Sequence, residues 1–89
     1  MRSRATSDFW RLYNRLPPSI QKSAKQAYAR FRQNPNHPSL RLKKVHTTQE
    51  IYSVRVTEDY RALGVREGDT IVWFWIGSHA DYERLLKGL

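Results

Sequence analysis

Hydrophobic residues recur at helical spacing in the first third of the chain. Thr6-Ser7-Asp8 is an N-cap sequence, and apolar residues follow it at i, i+3, i+4 and i+7, namely Phe9, Leu12, Tyr13 and Leu16. The pattern predicts a short amphipathic helix that ends at Leu16-Pro17-Pro18. Pro18 suits the first turn of a new helix, where no backbone N–H is needed. A second apolar stripe runs from Ile20 to Phe31, so the two helices are predicted to form a hairpin.

The hydrophobic period changes after the turn-forming sequence Asn34-Pro35-Asn36-His37-Pro38. Tyr52 to Val56 alternates between apolar and polar residues, as in a half-buried strand. Further strands are predicted at Tyr60 to Val65 and Ile71 to Ile76, and the last is apolar on both faces, as in a covered central strand. Arg41 to Val45 is interpreted as an extended lead-in to the sheet, and Ala80 to Leu86 as a short final helix.

Together these elements predict an α+β fold, with an N-terminal helical hairpin packed on a three- to four-stranded, mainly antiparallel sheet and a short C-terminal helix. Eighty-nine residues leave room for one core, so residues 1–89 are expected to form a single domain. Trp73 and Trp75 alternate with Phe74, which places both on one face of the last strand. Their expected role is core packing beneath the helices.

The composition narrows the function classes. The chain contains no cysteine, which excludes disulfides and thiolate metal sites and fits a reducing cytoplasm. Three scattered histidines without cysteine do not make a metal site, and no cofactor is predicted. The longest apolar run, Ile71 to Ile76, is far below the roughly 20 residues of a membrane span. We therefore expect a soluble, cytoplasmic protein that does not interact with membranes.

Charge is distributed unevenly along the chain. Sixteen Lys and Arg against eight Asp and Glu give a net charge of +8. Residues 1–50 carry eleven basic and two acidic residues (+9), whereas residues 51–89 carry five basic and six acidic residues (−1). Such a field concentrates polyanions near the protein. A nucleic-acid or acidic-protein partner is favoured over a merely solvated cationic surface.

Several short motifs occur in a specific order: Leu16-Pro17 with Ile20-Gln21, Asn34-Pro35, Tyr52-Ser-Val-Arg-Val56, Tyr60-Arg61 and Trp75-Ile-Gly-Ser-His79. In order and spacing they resemble the RelE/ParE toxin superfamily over nearly the whole chain. One branch of that family cleaves mRNA, usually on the ribosome, and another poisons DNA gyrase. The family's first strand would have to fit into Met1–Ala5, so it is expected to be very short or absent.

The resemblance implies the toxin of a bacterial type II toxin–antitoxin system. Its implied activity is a metal-independent endoribonuclease that cleaves mRNA on the ribosome, inhibits translation and leaves 2′,3′-cyclic phosphate and 5′-hydroxyl ends. Two alternatives remain open: a ParE-like gyrase inhibitor without nuclease activity, and a non-toxic nucleic-acid-binding module. The combination of His79 with two strand arginines favours the nuclease, because a pure binding module does not need a titratable group there.

Candidate catalytic residues follow from the chemistry, since RNA cleavage without a metal needs proton transfer and stabilisation of the phosphate. A hairpin about Glu58-Asp59 would bring Arg55 and Arg61 over one phosphate. Arg61 stands in an apolar strand and is expected to need an anion, whereas Arg55 can equally be a solvated surface residue. His79 matches the position of the family's catalytic His or Arg. Tyr82 is a further candidate, for which packing is the alternative.

The basic segment before the sheet supplies the candidate RNA-binding residues. Arg41, Lys43 and Lys44 are predicted phosphate contacts, with a solvated basic loop as the alternative. His46 is a weaker candidate for the RNA groove, and His37 is assigned only to a polar loop. The predicted partners are mRNA with the ribosome and a cognate antitoxin. The antitoxin segment is expected to fold on binding and to cover Arg55 and Arg61 with acidic side chains.

Overall fold

Five strands and three helices make up the structure, a computed structural model that describes residues 1–89. In chain order they are β1 (Arg2–Ala5), α1 (Ser7–Asn14), α2 (Pro18–Gln33), β2 (Lys43–Lys44), β3 (Ile51–Thr57), β4 (Tyr60–Glu67), β5 (Thr70–Ser78) and α3 (His79–Lys87), with a short 3₁₀ turn at Pro38–Leu40 before β2. None of the helices combines the length and the apolar character that a membrane crossing requires.

The predicted helical hairpin is confirmed, including the change of helix at the two prolines. The Thr6 hydroxyl accepts a hydrogen bond from the backbone N–H of Phe9 at 3.1 Å and caps the start of α1. Pro18 is the first residue of α2. The Gln21 side-chain amide donates to the Tyr13 carbonyl at 3.0 Å and ties α2 to α1. The corner is therefore fixed by a specific bond as well as by proline.

The sheet has the strand order β1-β5-β4-β3-β2, with β1 parallel to β5 and the other pairs antiparallel. The predicted α+β fold with its mainly antiparallel sheet and C-terminal helix is confirmed, but the sheet has five strands where three or four were expected. The first strand, which was expected to be very short or absent, is formed over four residues and pairs from Arg2 opposite Thr70 to Ala5 opposite Trp73. This pairing places the apolar β5 inside the sheet rather than at an edge.

Both faces of the sheet are covered, by different helices. The larger core lies between the sheet and the α1–α2 hairpin and includes Phe31, Val54 and Trp73. The smaller core lies beneath α3, where Ile51 and Leu63 of the sheet meet Tyr82. Residues that alternate along β3 and β4 therefore divide between two buried environments, and the α3 side carries the charged residues described below.

A β-bulge in β5 separates the two strand tryptophans. Leu63 pairs with Trp75 but Gly64 pairs with Trp73, which leaves Phe74 as an extra residue. Trp73 consequently lies in the larger core, where its ring is 5.3 Å from that of Phe31. Trp75 packs on the α3 side, 6.5 Å from the ring of Tyr82. The prediction that both tryptophans share one face is wrong, because strict alternation fails at a bulge.

Candidate active site

The β3–β4 hairpin brings two arginines together on the α3 side of the sheet. Arg55 of β3 and Arg61 of β4 are directly opposed cross-strand partners, because a β-bulge between Arg55 and Thr57 shifts the register by one residue after the predicted turn at Glu58-Asp59. Directly opposed side chains of this kind have Cβ atoms about 5 Å apart, and like charges there destabilise the sheet. Neither arginine forms a salt bridge with an acidic residue. The pair therefore concentrates two uncompensated positive charges at one position on the α3 side of the sheet.

Arg61 is held by the backbone of the turn that precedes it. Its Nη1 donates to the carbonyls of Thr57 at 2.6 Å, Tyr60 at 3.0 Å and Glu58 at 3.1 Å. Its Nε and Nη2 have no hydrogen-bond partner within the protein. The protein thus supplies acceptors for one nitrogen, so Arg61 does not depend on an anion alone, and the remaining donors are left for a ligand.

The environment of Arg61 lowers the pKa of its guanidinium group. Burial, followed by the charge of Arg55, lowers the pKa of Arg61, and Arg41 acts weakly in the same direction. An arginine nevertheless stays protonated at neutral pH. The lowered pKa therefore indicates a guanidinium that is poorly compensated in the free protein and would gain from a bound phosphate.

His79 is attached to the same turn through its backbone. It is the first residue of α3, a helix capped by the Ser78 hydroxyl, which accepts from the N–H of Asp81 at 3.2 Å. The backbone N–H of His79 donates to the carbonyl of Asp59 at 2.7 Å. Because Arg61 binds the neighbouring carbonyls of Thr57 and Glu58, one turn positions both residues.

The His79 side chain is half exposed and lies beside a carboxylate. Its Nε2 is 3.4 Å from Oε1 of Glu83, one helical turn along α3, and its ring is 5.6 Å from that of Tyr82. Glu83 was missed by the sequence analysis, although its i, i+4 spacing from His79 on a predicted helix was a usable signal. A carboxylate at this distance can orient the imidazole ring.

Tyr82 lies under the site rather than in it. Its side chain is buried, with 4% of the residue exposed, and its hydroxyl donates to the Ser53 hydroxyl at 3.3 Å. Its ring contacts Trp75 and His79. The geometry therefore supports the packing alternative for Tyr82, which forms the floor against which His79 rests.

Gly77 makes room for that floor. It is the cross-strand partner of Arg61, and a Cβ atom at this position would lie 2.6 Å from Cζ2 of Trp75. No real Cβ contact is that short, so a side chain at Gly77 would displace the indole. The glycine therefore lets the Trp75 indole lie over β5 at the position opposite Arg61.

The predicted RNA-binding residues separate in the structure. Lys43 is paired with Ser53 and shares the face of Arg55, whereas Lys44 is paired with Tyr52 on the other face. Lys44 also forms an exposed salt bridge of 3.4 Å with Glu50. Of the two lysines, only Lys43 therefore lies on the same face of the sheet as Arg55 and Arg61.

Arg41 and His46 lie on either side of β2 in the chain, and only Arg41 is close to the arginine pair. Arg41 is exposed beyond β2 and close enough to influence Arg61. His46 is in the loop before β3, and its Nδ1 accepts from the N–H groups of Thr48 at 3.2 Å and Gln49 at 3.0 Å. The four residue steps along β3 from Ile51 to Arg55 span about 13 Å, so this loop is remote from the arginine pair. The structure gives His46 a loop-stabilising role.

Comparison with known proteins identifies the family of this fold and site. The family model described as the ParE-like toxin domain matches residues 18–84, a stretch that contains Arg55, Arg61 and His79. The chain belongs to the family of ParE-like toxin domains. A search of curated proteins gave no significant match.

Solved structures of low sequence identity share the fold. A chain of the RelB–RelE antitoxin–toxin complex of Methanococcus jannaschii is 23% identical, with a TM-score of 0.69 and coverage of 91% of this chain and 95% of that chain. The YoeB/ParE toxin of Agrobacterium tumefaciens is 14% identical, with a TM-score of 0.68 and coverage of 89% and 99%. The isolated RelE toxin of E. coli is 10% identical, with a TM-score of 0.66 and coverage of 99% and 98%.

Proposed function

We propose that this protein is the toxin of a bacterial type II toxin–antitoxin system and that it inhibits translation by cleaving mRNA on the ribosome without a metal. The observation that carries the proposal is the opposed pair Arg55 and Arg61 with His79 anchored to the same turn. A phosphate is the anion that two convergent guanidiniums bind best, and a histidine beside it can transfer a proton.

The proposed reaction is an internal transfer at one phosphate. The ribose 2′-oxygen forms a bond to phosphorus while the bond from phosphorus to the 5′-oxygen breaks. The 2′-hydroxyl proton passes to water at the open face of the site, and protonated His79 donates a proton to the leaving 5′-oxygen. Arg55 and the free donors of Arg61 stabilise the extra negative charge of the pentacoordinate phosphate. The products are a 2′,3′-cyclic phosphate and a 5′-hydroxyl.

The proposal is tested by inducing the protein in a bacterium and measuring translation and DNA supercoiling separately. We expect growth arrest, loss of protein synthesis and new 5′-hydroxyl ends in mRNA, with supercoiling unchanged. Purified protein added to a translation extract should give the same ends, mapped by primer extension. Relaxed or cleaved plasmid DNA with intact mRNA would instead establish the gyrase-inhibitor alternative. Normal growth with RNA binding would establish a non-toxic binding module.

A cognate antitoxin is proposed as the protein partner. The partly buried arginine pair forms no salt bridge with an acidic residue of the chain, and the net charge of +8 leaves the protein strongly cationic. An acidic segment that folds on this surface would neutralise Arg55 and block access to phosphate. Co-purification with the product of the neighbouring reading frame should succeed for the native chain and weaken for Arg55→Glu. Unchanged retention of that variant would show that inhibition acts away from this site.

A further inference from the structure

We propose that a groove beyond Arg55 is a second phosphate-binding subsite, which holds the RNA backbone next to the phosphate that is cleaved. The inference rests on the proposed function, because it assumes that the ligand is RNA. This distal groove lies at the β3 edge of the sheet, where β2 is too short to cover the strand. The residues that line it include Arg30, His37, Ser39, Arg41 and Arg55.

Three arginines reach the distal groove from three different elements. Arg30 comes from the last turn of α2, Arg41 from the residue after the 3₁₀ turn, and Arg55 from β3. None of them forms a salt bridge or a side-chain hydrogen bond within the protein, and no acidic residue lines the groove. By contrast, Arg11 and Arg84 are each paired with an aspartate on their own helix. Convergent, uncompensated guanidiniums of this kind are suited to a polyanion.

The simplest alternative for Arg30 is an interaction with the negative end of the α2 dipole. Arg32 occupies the same last turn and has the same opportunity. Arg32, however, lies over the ring of Tyr28, with 6.0 Å between its Cζ and the ring centroid, and does not line the groove. The dipole therefore explains a basic last turn but not the direction of Arg30 into the groove.

His37 adds a fixed donor to the distal groove. Its Nδ1 accepts a hydrogen bond from the backbone N–H of Ser39 at 3.2 Å. The Ser39 hydroxyl also lies 2.8 Å from Nδ1, and with Nδ1 accepting from both groups the neutral imidazole carries its proton on Nε2. Nε2 is consequently a donor whether the ring is neutral or charged, which suits a phosphate oxygen. From the sequence alone, His37 is predicted only to lie in a polar loop.

Arg41 has a backbone conformation that also calls for an explanation. Its φ is 47°, the left-handed region, and it is the single non-glycine residue of the chain with positive φ. Strained backbone of this kind persists where a function needs a particular side-chain direction. Here it ends the 3₁₀ turn and brings Arg41 to the open edge of β3.

The distal groove adjoins the candidate active site on the side of the β3 edge. Arg55 belongs to both, since it is opposed to Arg61 and also lines the groove. Neighbouring strands are about 4.8 Å apart, so a position one strand beyond β3 is about 10 Å from β4. That separation leaves room for a second phosphate beside the first. An extended RNA strand would run across the sheet from Arg61 to Arg41.

Binding of uncleavable RNA by the full chain tests this inference. The probes are fluorescent 2′-O-methyl RNAs of two and six nucleotides, which lack the attacking hydroxyl, titrated over a range of salt concentrations. Arg30→Ala and Arg41→Ala should each weaken hexamer binding about five- to tenfold and reduce the salt slope by about one unit. Dinucleotide binding should change little. Arg32→Ala is the matched control, an exposed arginine of the same helical turn, and should retain the native slope.

The possible outcomes separate the two proposals. If the native chain binds the hexamer and Arg55→Ala weakens it, but Arg30→Ala behaves like Arg32→Ala, the distal subsite is wrong and the proposed function stands. If the native chain does not bind the hexamer at all, the distal subsite is wrong, and the translation and supercoiling assays described above decide the proposed function. Weakened antitoxin binding by Arg30→Ala with native RNA binding would overturn the subsite, because the groove would then be a protein-docking surface.

Discussion

Replacing His79 with alanine is expected to slow RNA cleavage by about 10²–10⁴-fold, the usual contribution of a positioned general acid. The fold should survive, because the side chain is half exposed and makes one polar contact, at 3.4 Å to Glu83. The bond that anchors α3 to the β3–β4 turn uses the backbone N–H of residue 79 and is retained by alanine. The measurement is single-turnover cleavage of mRNA on programmed ribosomes, with thermal unfolding of the same sample.

His46→Ala is the matched control for this prediction. His46 is partly buried and accepts two backbone hydrogen bonds in the loop before β3, remote from the arginine pair. Its removal should loosen that loop without changing the chemical step. A folded His79→Ala protein that cleaves at the native rate would remove His79 from the mechanism, and an equal loss in both variants would indicate an indirect effect.

The two arginines should give variants that are alike in activity and different in stability. Arg55→Ala and Arg61→Ala are each expected to reduce cleavage by about 10²–10³-fold, since each removes a donor from the developing charge. Arg55→Ala should leave the free energy of unfolding unchanged or slightly higher, because a directly opposed like charge disappears. Arg61→Ala should lower it by about 1–2 kcal/mol, because three turn carbonyls lose their donor.

Urea unfolding measured beside the cleavage rate distinguishes these effects. Arg55→Lys is a useful control, because it keeps the charge but loses the planar fork that binds two phosphate oxygens. It should recover part of the RNA affinity and little of the rate. Equal destabilisation by Arg55→Ala and Arg61→Ala would contradict the assignment of the turn-binding role to Arg61 alone.

Local signals were sufficient for most of the fold. The helical hairpin was predictable because apolar residues follow the helical period and Pro17-Pro18 marks the corner. β3 and β4 were predictable from alternation. β1 was not, because Arg2–Ala5 is too short and polar to show a period and forms only by pairing with β5. The bulge at Phe74 had no local signal either, since it arises from the register between β4 and β5.

The candidate site was predictable only in part, for a similar reason. The turn at Glu58-Asp59 was predictable, but with strict alternation it would oppose Arg61 to Val56 and place Arg55 on the other face. The observed pairing of Arg55 with Arg61 depends on the β-bulge between Arg55 and Thr57, which alternation does not reveal. The hydrogen bonds of Arg61 to the turn could not be predicted, because they depend on how a long side chain folds back. The distal groove could not be predicted from the sequence either, because Arg30, Arg41 and Arg55 are brought together by tertiary packing.

The pairing of β1 with β5 has a consequence for the order of folding. Arg2 is hydrogen-bonded beside a strand that begins 68 residues later, at Thr70, whereas every other strand pair joins neighbours in the sequence. Contacts of such high sequence separation form late, because the intervening chain must first be ordered. Until then the apolar edge of β5 is open and can template pairing with another chain. Misassembly through that edge is thus the hazard that this topology creates, and a refolding protocol should be designed to keep chains dilute until β1 has docked.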